Sequence, residues 1–226
     1  MIFAAFAVVL GAAAAQNDSA GTRTPAENSP VTPAYLYAES QGVNVTEGLL
    51  APLLNPATRS TVVMYLEEKI GDVQVTEALL EAAESHQVDP ALVVSLARQE
   101  SGFQARARGV NKNRTVDRGL MQLNSSTFSF LSEEEFFNPQ LNADYGVSYL
   151  RHTIDLAGGN IVAALAMYNA GPGRVGSTGA PRSTLDYISN ILGYRDELVR
   201  GYYQENTEGS VLMAMNIQPV KDPDSL

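Results

Sequence analysis

Apolar residues recur at spacings of three and four through most of the stretch from residue 61 to residue 199, and alternating patterns are nearly absent. A core made of α-helices is therefore what this chain can build. The spacing predicts helices over residues 61–70, 76–86, 126–131, 142–156, 161–168 and 185–199. Another start lies at Asp89, followed by Pro90: the carboxylate accepts from the free amides of a first turn, and proline fits the first helical position. In that helix Leu92, Val93, Leu96 and Ala97 form one apolar stripe, and the next position on it, four beyond Leu96, is Glu100. Gly102 suits the helix end, which puts Glu100 in the last turn, at the negative end of the helix dipole. Partial burial and the dipole both penalise the carboxylate, so a raised pKa and a proton ready for donation are expected. The alternative is a Glu that simply turns to solvent, and the neighbouring motifs weigh against it.

With 226 residues, 45% of them apolar, one globular domain with flanking segments is expected. The formal charge of −10 argues against nucleic acid, whose binding neutralises phosphates. Arg98, Arg106, Arg108, Lys112, Arg114 and Arg118 nonetheless cluster around the proposed site; they form either a positive rim that attracts carboxylates or a set of solvated, partly helix-capping charges. The chain has no cysteine, which excludes disulfides, thiolate metal sites, a thiol nucleophile and a lipid-modified cysteine. His86 and His152 sit in no metal-ligating spacing and are read as structural or surface residues. No metal and no other cofactor is called for.

Residues 1–15 carry no charged side chain and end in Ala13, Ala14 and Ala15, which resembles a secretory signal peptide. No Lys or Arg precedes the apolar run, so either the true start lies upstream of Met1 or the α-amino group alone supplies the charge there. The stretch is short for a membrane span. Residues 16–45 read as a flexible linker, residues 46–203 as the domain and residues 204–226 as a C-terminal tail whose Val211, Leu212, Met213 and Met215 could dock on it. The expectation is an exported protein of the periplasm or cell-wall space with no stable membrane anchor in its mature form.

After Glu100 come Ser101, Gly102 and Phe103, then Gly119, Leu120, Met121, Gln122 and Leu123, then Ala166, Met167, Tyr168, Asn169, Ala170 and Gly171. In this order they resemble the three signature blocks of the family 1 soluble lytic transglycosylases, the lysozyme-like enzymes that cut peptidoglycan. Phe137, Asn138, Pro139, Asn142, Gly146, Tyr149 and Leu150 look like that family's connecting helix, and Tyr187 matches a tyrosine that closes its domain. The match covers about residues 88–197. The resemblance implies that Glu100 protonates the oxygen between N-acetylmuramic acid and N-acetylglucosamine, then takes a proton from the muramic 6-hydroxyl. A 1,6-anhydro end results, with the substrate's own N-acetyl oxygen in place of a protein nucleophile. It also implies roles for Ser101, which could bond Glu100, the sugar or only the backbone; for Gln122, whose amide can pair with an acetamido group; for Met121 as an adaptable apolar floor; for Tyr168, bonding Glu100 or stacking on a sugar; and for Asn169, positioning the N-acetyl group. The chain has no tryptophan, so stacking falls to rings such as Phe103, Phe128, Tyr168, Tyr187 and Tyr194, the two phenylalanines being read mainly as core.

Between Glu100 and Ser125 the chain also resembles animal-type lysozymes, through Glu100, Ser101, Phe103, Asn111, Asn113, Asp117, Gly119, Gln122, Asn124 and Ser125. In that pattern the aspartate seventeen residues after the glutamate, here Asp117, is a second catalytic carboxylate. The segment between forms a small hairpin, expected here between Phe103 and Gln122. A retaining hydrolase needs the two carboxyl groups about 5 Å apart. Otherwise Asp117 pairs with Arg114 or Arg118 or satisfies turn amides. Glu133, Glu134 and Glu135 read as a solvated charge run. The fold expected is mainly α, a lysozyme-like helical domain with that hairpin. The partner expected is the peptidoglycan glycan strand, no protein partner can be named, and three functions stay open: lytic transglycosylase, retaining muramidase, and a wall-binding or assembly module without chemistry.

Overall fold

A computed structural model describes residues 48–111 and 114–214, with side chains up to residue 206. The expected signal peptide and linker, together with Lys112, Asn113, Met215 and the rest of the chain end, lie outside the described residues. In chain order the elements are α1 (Leu50–Leu54), α2 (Arg59–Ile70), α3 (Val73–Ser85), α4 (Pro90–Ser101), β1 (Arg108–Val110), β2 (Val116–Arg118), β3 (Leu123–Asn124), α5 (Glu133–Phe136), α6 (Pro139–Leu156), α7 (Ile161–Ala170), α8 (Pro172–Thr178) and α9 (Arg182–Ala214). The fold is mainly α, as expected, and the hairpin between Phe103 and Gln122 is present as β1 and β2. It gains a third strand, so the antiparallel order is β1-β2-β3, with Gly109 opposite Asp117 and Asp117 opposite Asn124.

Helix α4 is the centre of the core: every residue from Pro90 to Ala97 is buried, and it packs against α9, α3 and α1. Asp89 caps it as the sequence suggests, its side chain accepting from the amide of Ala91 at 3.1 Å. The same carboxylate also accepts from the amide of Leu49 at 2.9 Å and pairs with the Arg195 guanidinium at 2.7 Å. One aspartate thus fixes the start of α4, the chain before α1 and the middle of α9 relative to one another. Gly48 makes this approach possible; it has a φ of +77°, and a Cβ there would lie 2.1 Å from Asp89 Oδ2.

The sheet is held to α6 by Asn142, which has no exposed surface. Its Oδ1 accepts from the amide of Met121 at 2.8 Å, and its Nδ2 donates to the carbonyls of Arg118 at 3.0 Å and Phe136 at 2.8 Å. Gly119, with φ +81°, lets this amide come close, because a Cβ at that position would sit 2.2 Å from Asn142 Nδ2. The chain leaving β2 is thereby tied at two backbone atoms and joined to α5 through the carbonyl of Phe136, which fixes where the residues after Gly119 can point.

Three sequence expectations change. Residues 126–131 form turns and no helix, with the Asn124 side-chain oxygen accepting from the amide of Ser126 at 3.0 Å. The acidic run from Glu133 is less idle than a solvated stretch, since Ser132 and Glu135 form a reciprocal capping box and Glu133 pairs with Arg108 at 3.0 Å. Finally, α9 runs on to Ala214, past the point at which a tail was expected to begin.

Candidate active site

Glu100 stands in the last turn of α4, and Gly102 ends that helix in the left-handed conformation with φ 59°. The carboxyl group is part-buried and lines an open cleft of about 890 Å³. Asp117, Gln122, Asn124, Tyr149, Tyr168 and Asn169 are among the other lining residues. Burial pushes the pKa of Glu100 up to about 7, the negative charge of Asp117 adds to that rise, and a hydrogen bond from Tyr187 partly opposes it. The physical cause anticipated from the helix pattern, removal of the carboxylate from water, is the leading one.

The partner of Glu100 is Tyr187, whose hydroxyl donates to Oε1 at 2.5 Å. Sequence reasoning offered Tyr168 for that task or for stacking on a sugar. Tyr168 instead donates to the carbonyl of Met121 at 3.0 Å, while its ring packs on Tyr149 with centroids 5.3 Å apart. Both phenols have pKa values well above the ordinary tyrosine value, chiefly through burial, with the charge of Glu100 adding to it. They stay protonated as donors across the working range. Tyr187 reaches the site because α9 lies along α4, with Tyr187, Ile188 and Ile191 buried. One turn earlier on the same helix, Thr184 donates to Asn169 Oδ1 at 2.8 Å, which leaves the amide nitrogen of Asn169 for a ligand in the cleft.

Asp117 faces the same cleft from β2 and pairs with no arginine among the described residues. Its two oxygens are taken by two side-chain amides: Oδ2 accepts from Asn111 Nδ2 at 2.8 Å, and Oδ1 from Asn124 Nδ2 at 2.7 Å. Both amides also reach Thr115 Oγ1, at 3.1 and 2.8 Å. The three strands hold this set in place, because Asp117 lies opposite Asn124 in the register.

The remaining expected residues are placed differently. Ser101 bonds back to the carbonyl of Ala97 at 3.1 Å, the backbone alternative among its three readings. Met121 is fully buried beneath the cleft against Gly146, where a Cβ would meet the Met121 side chain at 2.4 Å; it supports the site from below and leaves the wall to other residues. Gln122, at φ 47°, lines the cleft, but its Nε2 is committed to the carbonyls of Gly119 at 2.9 Å and Ala107 at 3.3 Å. That leaves Oε1 as the atom it can offer.

Two members of the basic stretch are engaged elsewhere. Arg98 lies over the Tyr194 ring at 3.9 Å, and Arg118 lies over Phe136 at 5.0 Å. The arginine that lines the cleft is Arg174, on α8, which sequence reasoning passed over because it follows the last recognised block. Of the histidines, His86 pairs with Asp144 at 2.7 Å and His152 packs on Tyr149.

A helical domain with a small antiparallel sheet beside a cleft, and one raised carboxyl at the cleft end of its central helix, defines a lysozyme-like class of fold. The family model of the transglycosylase SLT domain matches residues 77–191, and the chain belongs to that family. Similar proteins include the soluble lytic murein transglycosylases of Escherichia coli (strain K12), 28% identical over 127 residues covering 51% of this chain and 19% of that protein, and of Salmonella typhimurium, 29% identical over 126 residues with the same coverage. The chain thus spans about a fifth of the length of the curated relatives it matches. Among solved structures, an inactive mutant of the lytic transglycosylase Slt from Pseudomonas aeruginosa aligns with 26% identity and a TM-score of 0.45, over 58% of this chain and 24% of that one. No helix among the described residues is long and apolar enough to cross a membrane.

Proposed function

We propose that this chain is a peptidoglycan lytic transglycosylase, exported to the periplasm or cell-wall space, that cleaves the bond between N-acetylmuramic acid and N-acetylglucosamine and leaves 1,6-anhydro ends. The observation that carries the reading is the carboxyl of Glu100: part-buried, raised to about 7, held by Tyr187 and open to the cleft. A group of this kind is protonated on a large fraction of molecules at neutral pH and is weak enough as an acid to take a proton back afterwards.

In the first step Glu100 gives its proton to the bridging oxygen, the bond from that oxygen to the muramic anomeric carbon breaks, and the muramic N-acetyl oxygen closes on the same carbon. In the second step the Glu100 carboxylate takes the proton of the muramic 6-hydroxyl. The 6-oxygen then bonds the anomeric carbon as the acetyl oxygen leaves. No water is consumed, and Glu100 ends as it began. Tyr187 holds the carboxyl in one orientation through both transfers, and the amide nitrogen of Asn169 is placed to orient an acetyl oxygen. The domain begins before the family match, since Leu49 and α1 are part of its core.

A second reading, a retaining muramidase, is favoured by one observation: Asp117 is held by Asn111 and Asn124 in the same cleft. Retaining hydrolysis uses two carboxyl groups in one cleft, one of them a raised glutamic acid. The product ends separate the two. Mass spectrometry of fragments released from purified sacculi is expected to find muramic ends lacking one water and resistant to borohydride, and Asp117→Asn is expected to retain most of the wild-type rate. Predominantly reducible ends, with severe loss of rate in Asp117→Asn, would transfer the assignment to the hydrolase.

A further inference from the structure

A row of aromatic rings leaves the reacting centre and runs out to solvent. Its inner end is Tyr168, fixed by its hydroxyl on the carbonyl of Met121. Tyr149 follows at 5.3 Å between centroids, Phe128 at 6.2 Å from Tyr149, and Phe130 at 6.1 Å from Phe128. Tyr145 braces the outer part, 6.1 Å from Phe128 and 5.5 Å from Phe130. Tyr145 and Tyr149 are four apart on α6 and so share a face of it, while Phe128 and Phe130 come from the turns between β3 and α5. Tyr168, Tyr149 and Phe128 all line the cleft. Phe130, at the far end, is 66% exposed.

We propose that this row is an extended saccharide-binding track, in which Phe128 and Phe130 form a platform for a sugar ring of the glycan remote from the bond being cut. The proposal rests on the reading of the cleft as a glycan site and adds an occupant for the surface that continues it. Three features support a saccharide there. A pyranose presents an apolar face of C–H groups that packs on an aromatic ring, with hydroxyls at its rim, and the chain has no tryptophan to do this elsewhere. The track is continuous with the cleft, so one strand can occupy both. Ser126 and Thr127 line the cleft beside Phe128 and provide hydroxyls for the sugar rim. The turns that carry Phe130 are pinned at Asn124 and Ser125, where Ser125 Oγ accepts from the amide of Val116 at 2.9 Å, so the platform is prepared before a ligand arrives.

The test compares the hexamer and the dimer of β-1,4-linked N-acetylglucosamine as probes, with binding measured by calorimetry on the full chain carrying Glu100→Gln, and on the same chain with Phe130→Ala or Phe130→Trp added. Hexamer affinity is expected to fall about tenfold in Phe130→Ala and to return in Phe130→Trp, with the weakening confined to the probe long enough to reach the platform. Circular dichroism guards against misfolding, which an exposed position makes a minor concern. Equal hexamer binding by Phe130→Ala and its parent would overturn the track while leaving the cleft assignment in place. The same holds if Phe130→Ala loses adsorption to phospholipid vesicles but no saccharide affinity, since the ring would then serve a membrane. Failure of the parent chain to bind either probe would instead remove the glycan reading of the cleft, and the track with it.

Discussion

Glu100→Gln is expected to reduce the release of soluble fragments from purified sacculi by roughly a thousandfold or more, while binding of glycan persists. The substitution is nearly isosteric, and the amide oxygen of Gln can still accept from Tyr187, so the cleft keeps its shape and loses only the exchangeable proton. In the proposed sequence that proton moves twice, out to the bridging oxygen and back from the 6-hydroxyl, so a side chain unable to give or take it stops both steps. Tyr187 is no substitute: burial and the charge of Glu100 hold its phenol well above the ordinary value. Release at an undiminished rate would remove Glu100 from the chemistry, and loss of binding together with release would point to a collapsed cleft.

The same substitution is expected to stabilise the fold at neutral and higher pH. The native carboxyl titrates at about 7 against 4.5 for the ordinary group. Below the ordinary value both native and unfolded chains hold the proton, and the group contributes no pH dependence. Between the two values the native state keeps its proton while the unfolded chain has released it. Stability therefore falls as the pH rises through that window, and above about 7 the penalty is complete. The full difference is about 3 kcal/mol, and a glutamine does not incur it. Chemical denaturation of wild type and Glu100→Gln should give matching stabilities near pH 4 and a gap that widens toward pH 8 in favour of the variant. A gap that does not change with pH would mean that the carboxyl is not held out of water in the native state. The cost is a functional one, since the same desolvation that weakens the fold is what loads the acid.

The catalytic helix was legible because its signals are local. The cap at Asp89, the stripe ending on Glu100 and the stop at Gly102 all lie within fourteen residues of one another, and each reports on its own backbone. The hairpin was legible only through the resemblance to animal-type lysozymes, and its third strand, two residues long, leaves no pattern to read. What the sequence did not reveal depends on how distant elements meet. Tyr187 bonds Glu100 from 87 positions away, and choosing it over Tyr168 required knowing that α9 lies along α4 and that the carbonyl of Met121 captures the other hydroxyl. Met121 belongs to a recognised block, yet Gly146 opposite it leaves room for its side chain, which goes down into the core. The turns at residues 126–131 show the limit of periodicity: the spacing of Phe128 and Leu131 is helical, but the rings of Phe128 and Phe130 pack on Tyr145 and Tyr149 of α6 instead. Arg174 carried no pattern at all; its place on the cleft follows from the short helix α8 beside α7.

The pH profile of kcat/KM on soluble, uncrosslinked glycan strands tests the central claim most directly, because it reports the protonation state that the free protein needs for reaction. If Glu100 acts first as an acid, the rate should be high while the carboxyl is protonated and fall tenfold per unit above a midpoint near 7. A rate that climbs through neutral pH, with its only midpoint in the ordinary carboxylate range, would show that the ionised form reacts and would contradict the account.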